Sequence, residues 1–123
     1  MEQKVCVDSD VIIELLCSRS DVIERFAALR GSRFYISSIS LFELLQRETR
    51  IQDMKDFLED FEFIPLDEYV AAKGAEIMRH LRKSGKLVEF RDVLIAASCI
   101  IEDCSLLTLN RRHFEKIKEL KLL

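Results

Sequence analysis

The sequence of 123 residues predicts an α/β fold, a three-layer α/β/α sandwich with a mainly parallel sheet of four or five strands. Short apolar runs alternate with segments whose apolar residues recur at helical spacing. Helices that connect successive strands are typical of parallel sheets covered on both faces. One proline and three glycines supply too few turn residues for a barrel or sandwich of many short strands. We expect residues 1–123 to form a single domain.

The first half of the chain predicts three strands and four helices, each from a local signal. Strands are indicated by apolar, aromatic or β-branched runs at 4–7, 34–36 and 61–66. The third should be an edge strand, because Pro65 cannot donate a ladder hydrogen bond. Helices follow capping residues at about 9–16, 20–30, 39–45 and 51–60. Gly31 is expected to end the second helix.

The second half predicts two long helices and two short strands. Asp67 is expected to cap a helix that runs through Arg82 and is ended by Gly85. Asp92 precedes an almost wholly apolar segment at 93–101, which predicts a buried helix. A strand at 106–108, a short basic turn that begins at Asn110, and a last strand at 120–123 complete the pattern.

Charge is unevenly distributed along the chain, although the net charge is only -3. Residues 1–72 hold 8 lysines and arginines against 15 acids, a net of -7, whereas residues 73–123 hold 11 against 7, a net of +4. A basic portion beside an acidic one could guide an anionic chain toward an acidic metal site. Ordinary solvated helix faces explain the same asymmetry equally well.

The remaining composition predicts an intracellular protein. The four cysteines form no C-x-x-C pair, so we expect buried free thiols in a reducing compartment and no zinc site. Neither an apolar leader segment nor an apolar run of membrane-spanning length is evident. The expected location is the cytoplasm, without a membrane partner.

Acidic residues follow predicted strands at one edge of the sheet. Asp8 and Asp10 follow the first strand, Glu43 lies one turn into the helix after the second, and Asp92 begins the buried helix. A buried carboxylate without a partner is costly, and helix N-terminal amides could balance any one of them. Three converging acids are harder to explain by capping. Oxygen ligands favour Mg²⁺ or Mn²⁺, and one or two such ions can activate water against a phosphodiester.

Four segments together resemble the motifs of PIN-domain nucleases, specifically VapC-type toxins. They cover nearly the whole chain, in order and with plausible spacing: V-D-S-D-V-I-I at 7–13, I-S-S-I-S-L-F-E-L-L at 36–45, G-K-L-V-E-F-R-D-V-L-I-A-A at 85–97 and L-L-T-L-N-R-R-H-F at 106–114. Each motif alone is weak, but the four together are fairly specific.

The resemblance implies a catalytic site and its cofactor. Asp8, Glu43 and Asp92 would bind one or two Mg²⁺ or Mn²⁺ ions, and Asn110 would take the fourth catalytic position, where an Asp is common. The substitution removes a negative charge that Asp10, where Asn is common, partly restores. The residues expected to support this site are Ser9, Ser38 and Thr108.

The resemblance also implies an activity and partners. The family cleaves RNA, frequently tRNA or ribosomal RNA, is silenced by a cognate antitoxin and often forms homodimers. Basic residues near the third and fourth motifs are candidates for phosphate contacts. They are Arg82, Lys83, Lys86, Arg91, Arg111 and Arg112. His113 is expected to be a surface or capping residue rather than a catalytic base.

Two other interpretations stay open at the level of sequence. Asp8-Ser9-Asp10 also fits the D-x-D start of haloacid-dehalogenase-like phosphatases, although residues 106–110 lack the late acidic pair that those enzymes need. A PIN-like domain with Asn110 could instead be a catalytically weak or inactive module that binds RNA or a protein.

Overall fold

The computed structural model describes residues 2–123 and contains, within them, five strands and seven helices. In chain order these are β1 (Lys4–Val7), α1 (Ser9–Leu16), α2 (Ser20–Ala27), β2 (Arg33–Ser37), α3 (Ser38–Leu45), α4 (Ile51–Phe57), β3 (Glu62–Ile64), α5 (Glu68–Lys83), α6 (Phe90–Glu102), β4 (Ser105–Leu107), α7 (Arg111–Phe114) and β5 (Lys121–Leu122).

The strands form one sheet in the order β3-β2-β1-β4-β5, and each neighbouring pair is parallel. Val5 of β1 lies opposite Phe34 of β2 and Ser105 of β4. The predicted parallel sheet is confirmed, with five strands, and β3 lies at an edge as expected. Because β1 is central, the residues that follow it emerge in the middle of the carboxyl edge of the sheet.

Alternating side chains of the sheet belong to two separate apolar cores. Val5 and Val7 pack with apolar residues of α1 to α4, such as Ile12. Cys6, between them in sequence, packs with apolar residues of α5 and α6 and with Phe114 of α7. Successive side chains of a strand point to opposite faces, so helices cover both faces and the three-layer arrangement is confirmed.

Three helix ends differ from the sequence prediction. Helix α2 ends at Ala27, before Gly31, because the amides of Leu29 and Arg30 donate to carbonyls only three residues back, at 3.0 and 3.1 Å, and tighten the chain into a turn. Gly31 turns the chain toward β2 with φ 92°. Helix α4 ends at Phe57 rather than near residue 60. Helix α6 begins at Phe90, so Asp92 lies inside its first turn.

The prediction that the cysteine thiols are buried is wrong for one of them. Cys6, Cys99 and Cys104 are buried free thiols, whereas Cys17 is exposed at the end of α1, where the helix leaves the core. Within residues 2–123, the helices are all too short or too polar to span a bilayer.

Candidate active site

Asp8 lies at the carboxyl end of the central strand and caps α1. Its Oδ1 accepts a 2.8 Å hydrogen bond from the main-chain amide of Ser9, and its Oδ2 accepts one of 2.8 Å from the hydroxyl of Thr108. The side chain is buried, and burial together with the nearby Asp10 carboxylate raises the pKa of Asp8 to about 6, against the lowering effect of those hydrogen bonds. A cation beside this carboxylate would stabilise its ionised form.

Asp10 is the second acid on this edge, and one of its oxygens is unsatisfied. Its Oδ2 accepts a hydrogen bond of 3.1 Å from the main-chain amide of Leu109, while its buried Oδ1 has no hydrogen-bond partner within residues 2–123. Burial raises the pKa of Asp10. A buried oxygen without a donor is costly, and it is a feature that a cation or an ordered water would satisfy.

Thr108 positions Asp8 through a single hydroxyl group. The hydroxyl accepts a hydrogen bond of 3.1 Å from the main-chain amide of Asn110 and has one proton to donate. Asp8 Oδ2, at 2.8 Å, is a closer acceptor than Asp10 Oδ2, at 3.4 Å. Thr108 is fully buried just after β4, so its geometry is set by the sheet.

Glu43 reaches the same region from α3. Its Oε1 accepts a hydrogen bond of 3.1 Å from the hydroxyl of Ser9, and its Oε2 accepts a bond from Nε of Arg91. Ser37 caps α3, accepting a 3.1 Å bond from the Ser40 amide, which fixes where the helix begins. Ser9 therefore connects the two acids, because its hydroxyl donates to Glu43 and its main-chain amide donates to Asp8.

Asp92 lies in the first turn of α6, where two basic side chains face it. Arg91 Nη1 lies 3.3 Å from its Oδ1, and His113 Nδ1 lies 3.3 Å from its Oδ2. Burial raises the pKa of Asp92, and Arg91 and His113 oppose that rise. Since Arg91 also bonds Glu43, its guanidinium connects two of the three acids expected to bind metal.

The structure brings together most, but not all, of the expected site residues. Asp8, Asp10, Glu43 and Asp92 converge, and we call them the acidic cluster. Ser38 is not part of it, because its hydroxyl donates to the main-chain oxygen of Ile64 at 3.0 Å and ties α3 to β3.

Two further residues have roles that the sequence did not predict. Asn110 is exposed, and within residues 2–123 only its main-chain amide is bonded toward the cluster, through Thr108. Ser40 was missed by the sequence analysis, although its hydroxyl lies 3.4 Å from Asp8 Oδ1. The second motif contains three serines, and only the cap geometry of α3 distinguishes Ser40 from Ser38.

A cleft of about 220 Å³, lined by both basic and acidic side chains, opens beside Asp92. Arg112, Lys116 and His113 line it together with the acid Glu89 and the apolar Leu87. Arg111 instead donates to the main-chain oxygen of Leu123. The other three candidates for phosphate contacts are exposed near the end of α5 or just after it, and these are Arg82, Lys83 and Lys86. The expected surface position of His113 is confirmed by its exposure, but the ring also contacts Asp92.

The acidic cluster fits a divalent metal ion by its donor chemistry. All of its ligand atoms are carboxylate oxygens, which suit Mg²⁺ and Mn²⁺, and Asp10 contributes a buried oxygen that has no partner among the residues from 2 onward. Among residues 2–123, however, no three acidic, histidine or cysteine side chains are already arranged to hold an ion. The guanidinium of Arg91 bridges Glu43 and Asp92 instead.

The parallel sheet and the position of the acidic cluster show that this is an α/β protein whose polar site lies at the carboxyl ends of parallel strands. The PIN domain model matches residues 5–120, and the chain therefore belongs to the PIN-domain family. This membership favours the nuclease interpretation over the haloacid-dehalogenase-like one.

Named relatives place the chain among VapC-type proteins. It is 31% identical to Ribonuclease VapC1 of Methanocaldococcus jannaschii, over 98% of this chain and 86% of the relative. It is 33% identical to Ribonuclease VapC10 of Mycobacterium tuberculosis, over 95% of this chain and 90% of the relative. The structure of VapBC2 from Rickettsia felis, bound to a promoter DNA fragment, superposes with a TM-score of 0.83 at 22% identity and covers 98% of both chains. The resemblance found in the sequence and the fold class are confirmed.

Proposed function

We propose that this protein is a metal-dependent endoribonuclease and the toxin of a toxin–antitoxin pair. The observation that carries the proposal is the convergence of four carboxylates, of which those of Asp8 and Asp92 are buried, beside the carboxyl end of the central strand. Relatives named as VapC ribonucleases over nearly the whole chain support the activity class. Residues 1–123 would act as one PIN domain, in the cytoplasm where cellular RNA is found.

The proposed ligands of the metal are Asp8, Glu43 and Asp92, with Asp10 as a further oxygen donor. Bound Mg²⁺ or Mn²⁺, as one or two ions, would supply Lewis acidity and a water of lowered pKa. Thr108 holds Asp8 in one orientation, and the main-chain amide of Asn110 in turn holds Thr108. The chain's own contribution is therefore a fixed set of carboxylate oxygens, with Asn110 acting through its main chain.

The proposed substrate is RNA, with tRNA or ribosomal RNA as plausible sources. Arg112 and Lys116 line the cleft that opens beside Asp92, so phosphates of a bound strand would meet positive charge next to the acids. Arg82, Lys83 and Lys86 are exposed and available to extend this contact. Arg111 is a weaker candidate because its guanidinium is bonded to the end of the chain.

A cognate antitoxin and a second copy of the chain are the proposed protein partners. The structure of VapBC-5 from Mycobacterium tuberculosis, a member of the VapBC family of toxin–antitoxin systems, superposes with a TM-score of 0.72 at 21% identity and supports an antitoxin partner for this chain. For the homodimer, we propose the groove lined by Leu41, Phe42 and Leu45 of α3. Phe42 is 70% exposed and Leu45, in the same groove, is 37% exposed, and adjoining exposed apolar side chains favour a protein contact.

Cleavage of RNA by the purified protein tests the proposed activity. Total cellular RNA and a tRNA pool would be incubated with the full chain in Mn²⁺, in Mg²⁺ and in chelator. We expect discrete products that depend on the metal. RNA binding that is equal with and without chelator, and without cleavage by folded protein that binds Mn²⁺, would favour the inactive binding module instead.

A further inference from the structure

The acidic cluster already contains a positive charge, which is the guanidinium of Arg91. Arg91 donates through Nε to Glu43 Oε2, and its Nη1 lies 3.3 Å from Asp92 Oδ1. These two acids come from different helices, α3 and α6, so one guanidinium connects two elements. Arg91 is the residue before Asp92, and its side chain is only 38% exposed.

The bridge neutralises charge in the place where a metal is proposed to bind. Glu43 and Asp92 are two of the three proposed ligands, and both are engaged by the same guanidinium. The guanidinium of an arginine is charged at any physiological pH, so the bridge places a full positive charge between the two acids. A carboxylate oxygen that accepts from Arg91 is not free to coordinate an ion in the same direction.

We propose that Arg91 is an internal competitor of the divalent metal for Glu43 and Asp92, and that metal binding requires its guanidinium to leave the bridge. This inference rests on the proposed metal-dependent function and adds a residue that regulates metal binding at that site. Without metal, the guanidinium limits repulsion among the carboxylates. When metal is bound, the guanidinium gives up its contacts with both acids.

Mn²⁺ binding measured by electron paramagnetic resonance tests the competition without using activity. Arg91→Gln removes the charge and the bridge, Arg91→Lys keeps the charge, and Arg112→Gln removes an arginine that lines the cleft beside Asp92. We expect Arg91→Gln to tighten Mn²⁺ binding roughly tenfold, equivalent to about 1.4 kcal/mol. The Mn²⁺ affinity of Arg91→Lys should stay within about threefold of wild type. Arg112→Gln should change the affinity less than Arg91→Gln does, because the electrostatic repulsion between an arginine and the metal weakens with distance.

Nuclear magnetic resonance of the arginine side chains tests the bridge directly. In the metal-free protein, the Nε–H signal of Arg91 should be protected, and Glu43→Gln should shift it. Addition of diamagnetic Mg²⁺ to wild type should move the same signal toward that of a solvated arginine.

The outcomes separate this inference from the proposed function. Unchanged or weaker Mn²⁺ binding by folded Arg91→Gln, while Asp8→Asn abolishes binding, would overturn the competition and leave the metal site in place. An Nε–H signal that keeps its position at saturating Mg²⁺ would overturn it as well. If no folded variant and no wild-type protein binds Mn²⁺, the metal site and the competition both fail.

Discussion

The carboxylates of the acidic cluster differ in what balances their charge. Asp8 is balanced by neutral donors, namely a hydroxyl and a main-chain amide. Glu43 and Asp92 are balanced by the guanidinium of Arg91. In the described part of the chain, Asp10 keeps a buried oxygen with no donor. Burial and the neighbouring Asp10 carboxylate outweigh the two hydrogen bonds of Asp8, which explains why its pKa is raised.

The raised pKa of Asp8 predicts that ionising this carboxyl lowers the free energy of unfolding of the metal-free protein as pH rises. A carboxyl with a pKa of about 6 in the folded chain and 3.8 in the unfolded chain binds protons more tightly when folded. Its contribution to the free energy of unfolding therefore falls as pH rises between those values, by up to about 3 kcal/mol. Asp8→Asn keeps a residue able to cap α1 and removes the titration.

Urea unfolding in chelator at two pH values checks this expectation. Relative to wild type, Asp8→Asn should gain stability between about pH 4 and about pH 7, since only wild type bears the cost of ionising the buried group. A difference between the two proteins that is the same at both pH values would contradict the raised pKa.

The sequence identified the acids of the cluster but not the contacts that organise them. Asp8 and Asp92 could be predicted because each combines a strand or helix end with apolar neighbours. The roles of Arg91 and His113 could not, because a charged residue beside a motif is usually solvated, and only the packing of α6 against α3 and α7 turns these side chains toward the acids. Ser40 was missed for a similar reason, since its contact depends on the cap at Ser37.

At the scale of elements, the packing of α5 on α6 sets the position of Asp92. Gly74 lies at this contact, where an added Cβ would come 3.0 Å from Leu94 Cδ2 and 3.8 Å from Ala97 Cβ. The glycine thus permits the two helices to approach closely. A side chain with more than one added carbon there would push against the first half of α6, which carries the acid.

Gly74→Val should therefore destabilise the protein and disturb the site. We expect a loss of about 1–3 kcal/mol in the free energy of unfolding, as for other overpacked contacts. Ala75→Val places the same side chain at the next, exposed position of α5 and should cost less than about 1 kcal/mol. Chemical denaturation of both variants measures these free energies of unfolding. Equal losses of stability in the two variants would show that the contact between α5 and α6 is not tight.

The order and type of the elements were predictable, whereas three helix ends were not. Caps such as Asp67 act locally, and its carboxylate does accept from the Val70 amide at 3.0 Å. The end of α2 depends on how residues 28–30 turn toward β2, and the start of α6 depends on a linker with no capping side chain. Tertiary packing outweighs weak local signals at such places.

At the scale of the whole molecule, the groove on α3 predicts self-association. Phe42→Ser should convert a dimer into a monomer, because it removes the large apolar side chain from the proposed contact. Leu87→Ser is a suitable control, since Leu87 is 86% exposed but lines the cleft beside Asp92 instead. Light scattering after size exclusion distinguishes the states. A monomeric wild type, or a Phe42→Ser dimer as tight as wild type, would contradict the proposed homodimer.

The central claim is that the acidic cluster is the centre of RNA cleavage. The most direct test compares the Mn²⁺-dependent cleavage rate of wild type with that of Asp92→Asn. Asp60→Asn serves as a matched control, because Asp60 is exposed in the turn after α4. We expect Asp92→Asn to lose at least about 100-fold in rate while remaining folded, and Asp60→Asn to stay close to wild type. Full activity in folded Asp92→Asn would contradict the account.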